Sequence, residues 1–202
     1  MTALLRWALL FFVALSVPAL QAQPYPSRPI RWIVPFPAGG TTDLIGRPVA
    51  SQLEAQLGRT VVVDNRSGAN GLVGAEIVSR AIPDGYTMLW TTTSIIISQA
   101  INPKFPLDVA RDLEPVSQVV IGTGYFVLVH PALNVKSIKE LVALAKTRDK
   151  QLTYGTPGVG NGQHIAVEMF NEIAGTNFLH VPYKGIPQQM NALLSREIDI
   201  LF

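Results

Sequence analysis

Two glycine-rich stretches hold the residues best suited to chemistry. The first, Phe36-Pro37-Ala38-Gly39-Gly40-Thr41-Thr42-Asp43, closes a short apolar run that starts at Ile30 and ends at Pro35 and Pro37, and opens an amphipathic segment with Ile45, Val49, Leu53 and Leu57 four apart. That order reads as strand, glycine loop, helix N-terminus. Bare glycine backbone and the first N–H groups of a helix, which have no internal acceptor, suit a small anion. An ordinary strand-to-helix turn, with Thr41 or Thr42 as a cap, fits the same residues, and geometry alone leaves the two readings open.

The second stretch, Tyr154-Gly155-Thr156-Pro157-Gly158-Val159-Gly160-Asn161-Gly162-Gln163-His164, also runs from a strand into a helix. Its glycines lack the G-x-G-x-x-G spacing and no Gly-Lys-Ser/Thr follows, which argues against a nucleotide. Thr156 and the backbone N–H groups can hold a small carboxylate. His164, neutral near a positive helix end, can donate a ring hydrogen to a ligand, or it simply packs or caps. Tyr183, Lys184 and Gly185 follow a further strand; Lys184 attracts an anion, or is a solvated loop lysine. Thr91, Thr92, Thr93 and Ser94 end the third strand with four hydroxyls, a polar lining or the β-branched run of an edge strand.

Enzyme signatures are missing. His130, His164 and His180 fit no metal-ligand spacing, and neither H-E-x-x-H nor the nucleophile elbow G-x-S-x-G occurs. The rival reading is an exported α/β hydrolase with Ser94 or Ser67 and His164 in catalytic roles. Neither a cofactor nor a metal is expected.

These loops need elements to position them. Strands are expected over Thr60–Asp64, Thr87–Thr91, Leu152–Tyr154, Phe178–Val181 and Ile198–Phe202, with a long extended stretch over Val116–His130 broken at Gly122-Thr123-Gly124. Helices are expected over Leu72–Ile82, Ser94–Ile101, Ser137–Thr147, Asn161–Ala174 and Pro187–Leu194. Ser137 and Glu140 make a capping box, and Ile165, Met169 and Ile173 form one stripe. Pro48 should kink the first helix. Strands alternating with helices imply parallel α/β sheets. The series splits into two α/β lobes around a cleft, 23–122 and 123–202, each presenting a glycine loop at the carboxyl ends of its strands, where open α/β sheets take their ligands.

Residues 1–22 read as a secretory signal peptide: Arg6, the apolar run Trp7–Leu15, and a cut after Ala22. Removing them takes the net charge from +2 to +1, since Arg6 is the only charge there. With 15% charged residues and no polybasic run, a nucleic-acid partner is not expected. Zero cysteines exclude disulfides and thiolate chemistry. The run Ile198–Phe202 reads as a core strand at the chain end, so the sequence is taken as an N-terminal fragment lacking its C-terminal part.

Several ordered strings together are similar to one family. They are Tyr25–Ile30, Val34–Asp43, Val63-Asp64-Asn65-Arg66-Ser67-Gly68-Ala69-Asn70-Gly71, Pro83–Thr87, the second loop through His164, and His180-Val181-Pro182-Tyr183-Lys184-Gly185. Over Tyr25 to Phe202 the chain resembles the Bug family, the extracytoplasmic solute receptors of tripartite tricarboxylate transporters. The resemblance implies a type II periplasmic-binding-protein-like fold. It further implies a non-catalytic, monomeric periplasmic receptor that closes on a small carboxylate and delivers it to membrane subunits; a sensor feeding a membrane kinase would look the same. The ligand is then held largely by backbone amides and water. Carried over, Phe36, Pro37, Ala38, Gly39, Gly40, Thr41 and Asp43 hold the first carboxylate, and Thr92, Thr93 and Ser94 add hydroxyls. Thr156, Gly160, Asn161, His164, Tyr183, Lys184 and Gly185 close over the solute.

Overall fold

The computed structural model describes residues 24–202; the expected signal peptide lies outside the described residues. The first lobe is built on three parallel strands: β1 (Ile30–Val34) lies between β2 (Val61–Asn65) and β3 (Thr87–Leu89). As the central strand, β1 buries both faces, which is why it reads as a nearly unbroken apolar run. Ile30, Trp32 and Val34 pack with Val61 and with Ala50 of α1 (Thr41–Leu57). Ile33 points to the opposite face, against Gly74 of α2 (Leu72–Ser79). A Cβ at Gly46 of α1 would fall 2.6 Å from the Trp90 indole nitrogen, so glycine is what lets α1 lie close to the sheet. That indole donates to the Thr42 carbonyl at 2.8 Å and stacks on Trp32. Helix α3 (Ser94–Ile101) and the short α4 (Val109–Asp112) complete this part.

The second lobe carries a four-stranded sheet in the order β4 (Leu128–Val129), β7 (Ile200–Leu201), β5 (Thr153–Thr156), β6 (Leu179–Pro182). β5 pairs in parallel with β6 and β7, while β4 runs antiparallel to β7. Helices α5 (Ile138–Thr147) and α6 (Gly162–Ala174) cover one face through Leu141 and Val167, which pack with Leu152, Tyr154, Phe178 and Ile200. Helix α7 (Ile186–Leu194) supplies Ala192 and Leu193 to a cluster with Ile198 and Leu201.

Four expectations are modified. Helix α1 runs unbroken from Thr41 to Leu57 through Pro48. The extended stretch Val116–His130 contributes only Leu128–Val129 to a sheet, and Val116 and Phe126 are exposed. On α6 the stripe Ile165, Met169, Ile173 does not face the core: Met169 is 56% and Ile173 84% exposed, while Val167 and Asn171 are buried. A spacing of four names a helix face but not its neighbour, and here the aromatic contact of Phe170 with Phe178 and Phe202 fixes the helix the other way round. The capping box on α5 forms with a shift: Ser137 Oγ accepts from the Glu140 N–H, but Glu140 reaches back to the Lys136 N–H.

Candidate functional site

The first glycine loop is held by one buried carboxylate. Asp43, in the first turn of α1, is 2% exposed. Its Oδ2 accepts from the Gly39 N–H and from Arg47 Nε, both at 2.9 Å, and its Oδ1 accepts from Asn65 Nδ2 at 2.9 Å. Asn65, at the end of β2, also donates to the Phe36 carbonyl at 3.0 Å, which ties loop, helix and strand together. Burial pushes the Asp43 carboxyl up, but the bonds from Arg47, Gly39 and Asn65 outweigh it and hold its pKa below the usual carboxylate value. Thr41 and Thr42 do not cap α1. Gly40 occupies the cap position without a side-chain hydrogen bond, so the first amides of the helix are left for another acceptor.

The second loop rests on an imidazole pair. Thr156 is fully buried, and its Oγ1 lies 2.6 Å from His180 Nε2, accepts from the Gly158 N–H and donates to the Gly158 carbonyl. His180 packs against His164, ring centres 4.3 Å apart and planes tilted by 39°. His164 Nδ1 accepts from the Gly160 N–H at 3.3 Å, which puts the ring proton on Nε2. Asn161, expected inside α6, is its N-cap and accepts from the His164 N–H. Glu168, one turn further along α6, accepts from the buried Tyr154 hydroxyl at 2.6 Å, and burial, with Glu168 beside it, pushes that phenol up.

Burial and the neighbouring His164 lower the pKa of His180, with Glu168 opposing. A histidine whose folded pKa lies below its unfolded value of about 6.5 contributes no penalty above that pH. Stability is therefore complete above about pH 6.5 and is lost as the pH falls toward the folded value. The unfolding midpoint in urea should drop between pH 7.5 and 5 in the natural protein. His180→Gln should flatten that slope; an unchanged slope in the variant would place the titration elsewhere.

The third loop, Pro182 to Gly185, ends β6 and leads into α7, whose cap position is Gly185, again without a side-chain hydrogen bond. Tyr183 donates to Glu197 at 3.0 Å; burial and that carboxylate push its pKa up to about 12. Lys184 is exposed. In the first lobe Thr92 Oγ1 donates to Ser94 Oγ and accepts from the Ser94 N–H at the start of α3; Ser94 is buried, whereas Thr92 and Thr93 are exposed.

Glycines bring these pieces together across the cleft. A Cβ at Gly185 would lie 2.8 Å from Pro37 of the first loop, and one at Gly40 would lie 3.7 Å from Pro187 Cδ. Gly158 faces Asn70, and a Cβ at Gly160 would collide with Ile101 Cδ1. Loops one, two and three thus meet at one seam, with the N-termini of α1, α6 and α7 around it. Ser94 and His164 are not paired, since Ser94 bonds Thr92 and His164 bonds Gly160. Two open surface hollows of about 390 and 420 Å³ are lined by none of these loop residues.

A family model described as tripartite tricarboxylate transporter family receptor matches residues 45–202. The chain belongs to that receptor family. Among its relatives, BugT of Bordetella pertussis is 37% identical over 189 residues, which are 92% of this chain and 57% of BugT. The solved structure of the periplasmic binding protein BugD superposes with a TM-score of 0.78 at 32% identity, covering 87% of this chain and 58% of BugD. The structure of R. palustris Rpa4515 with adipate gives 0.82 at 32% identity, covering 87% of this chain and 59% of that one. The chain therefore spans between half and two thirds of the length of these receptors.

Within this receptor fold the sequence reading passed over Asn65, Asn70, Ser98 and His180. Asn65 and Asn70 stand in the family-like string Val63–Gly71 with no role assigned to them. A strand-end asparagine is a fair signal of a loop fastener. No local signal marks His180 or Ser98, whose partners are 24 and 28 residues away.

Proposed function

We propose that the protein is a periplasmic receptor that captures a small carboxylate and delivers it to the membrane subunits of a tripartite tricarboxylate transporter. One observation carries the reading. Two helix N-termini capped by glycine without a side-chain bond, those of α1 and α7, meet across one seam with the second glycine loop beside them. Such termini present backbone donors and partial positive charge to an anion. The adipate held by Rpa4515 supports a carboxylate as ligand.

On this reading residues 23–122 and 123–202 act as the two lobes, and the ligand lies among Pro37 to Thr41, Thr92 to Ser94, Thr156, Gly160, Asn161, His164 and Tyr183 to Gly185. Phe36 and Asp43 shape the first loop from behind, because the Asp43 oxygens face three donors of the protein itself. The chain is an exported monomer that performs no catalysis.

The test is thermal unfolding of the protein against a panel of mono-, di- and tricarboxylates, including amino and aromatic acids. At ten times its Kd a ligand stabilises by about 1.4 kcal/mol, a rise of roughly 3–5 °C for a chain of this size. If no acid in the panel raises the midpoint with concentration, the receptor reading is wrong.

A further inference from the structure

Asn70 stands apart from the other turn residues of the first lobe. It lies in the tight turn Ala69–Gly71 after β2, with φ 53° and ψ 35°, a left-handed conformation that asparagine tolerates better than most residues. That turn packs on α3, and there Asn70 Nδ2 donates to Ser98 Oγ at 2.9 Å. Ser98 is itself only 9% exposed. The other end of the amide, Oδ1, is buried and has no partner among the described residues.

The second glycine loop covers this pair. Gly158, at φ 145°, faces the Asn70 side chain, and Ser98 Oγ lies 3.9 Å from where a Cβ on Gly160 would stand. The open acceptor therefore sits at the seam between the lobes, under the second glycine loop, and the turn that carries it touches Phe36 of the first loop through Gly71. Buried acceptors are rarely left empty in folded proteins, and this one is held in place by a turn that only a few residue types adopt.

A carboxylate has no proton to offer such an atom at neutral pH, whereas a hydroxyl or an ammonium group does. Resting on the receptor reading above, we propose that Asn70, positioned by Ser98, is the specificity-determining residue of the cleft and selects carboxylates that also carry a hydroxyl or ammonium group. The carboxylate itself is held by the glycine loops. Asn70 reads the neighbouring donor.

The experiment is calorimetric titration of the natural protein, Asn70→Gly and Asn70→Asp with L-malate, L-aspartate and succinate, which share two carboxylates and differ only in the hydroxyl or ammonium. Glycine accepts the positive φ without strain, so Asn70→Gly removes the amide and leaves the turn. The natural protein should bind malate or aspartate about tenfold or more tighter than succinate, the scale of one hydrogen bond made to a buried acceptor. In Asn70→Gly that preference should collapse to within about twofold. Asn70→Asp keeps an acceptor there and should retain the preference for aspartate over succinate. Equal binding of all three acids by the natural protein, or a preference that survives in Asn70→Gly, overturns the assignment and leaves the receptor reading standing. Failure of the natural protein to bind any carboxylate removes the receptor reading and this one with it.

Discussion

Replacing Asp43 with alanine is expected to lower the unfolding free energy by about 2–4 kcal/mol and to abolish carboxylate binding. The Asp43 side chain is 3% exposed and takes hydrogen bonds from Gly39, Arg47 and Asn65. Without it the Gly39 N–H and one Asn65 proton lose their acceptor, and a buried donor left unpaired costs about 1–3 kcal/mol. Arg47 is half exposed and returns to water, so the ion pair itself contributes little of the total. Released from Asp43, the loop no longer aims its amides, which is why binding falls with stability. Asp43→Asn should be nearly as damaging, because its NH₂ group faces donors. The pH dependence follows from the lowered carboxyl pKa: the contribution is complete above about pH 4 and is lost as the pH falls through the folded value. Urea midpoints and titration calorimetry at pH 7 check this. An alanine variant with natural stability would mean that the carboxylate does not organise the loop.

The second large effect is expected at Gly185, where it separates closure from folding. Its φ of 169° is extended backbone open to any residue, so no local strain follows from adding a side chain. The Cβ would nevertheless lie 2.8 Å from both Cγ and Cδ of Pro37, inside van der Waals contact and across the seam. Pro37 opens a turn closed by the Gly40 N–H on its carbonyl at 3.2 Å, and its ring fixes φ, so it has little freedom to move away. On the proposed receptor reading, in which hinge-like closure brings the loops onto the ligand, Gly185→Val should hold the lobes apart and weaken solute binding by about a hundredfold or more. The unliganded protein should keep its far-UV spectrum and a midpoint within about 2 °C of the natural one. Gly160→Ala makes the contrast: at φ 78° it adds backbone strain of about 1–2 kcal/mol to its collision with Ile101, so both stability and affinity should fall. Natural affinity in Gly185→Val would show that the seam is not the ligand's enclosure.

Much of this was legible in the chain itself. β1, α1 and α3 lie where local patterning places them, with α3 matching at both ends. The capping pair on α5 was readable because a cap involves neighbours three residues apart. The same locality explains the failures. The α6 stripe was assigned from spacing, which is blind to Phe170 meeting Phe178 and Phe202. The apolar run after Val116 has the composition of a strand, but a strand exists only where a partner offers hydrogen bonds, and in this run only Leu128 and Val129 find one, in β7.

By itself, then, the sequence determined the alternation of strands and helices, the two glycine loops at strand ends and the family to which the chain belongs, because these rest on patterns within a few residues or on ordered motifs. Tertiary structure alone decided that the Asp43 carboxylate turns toward its own loop, that His180 meets Thr156 and His164, and that Gly185 lies on Pro37. Each of those contacts depends on strand register or on how the lobes approach, and burial makes such pairings over distances in sequence that no local pattern encodes.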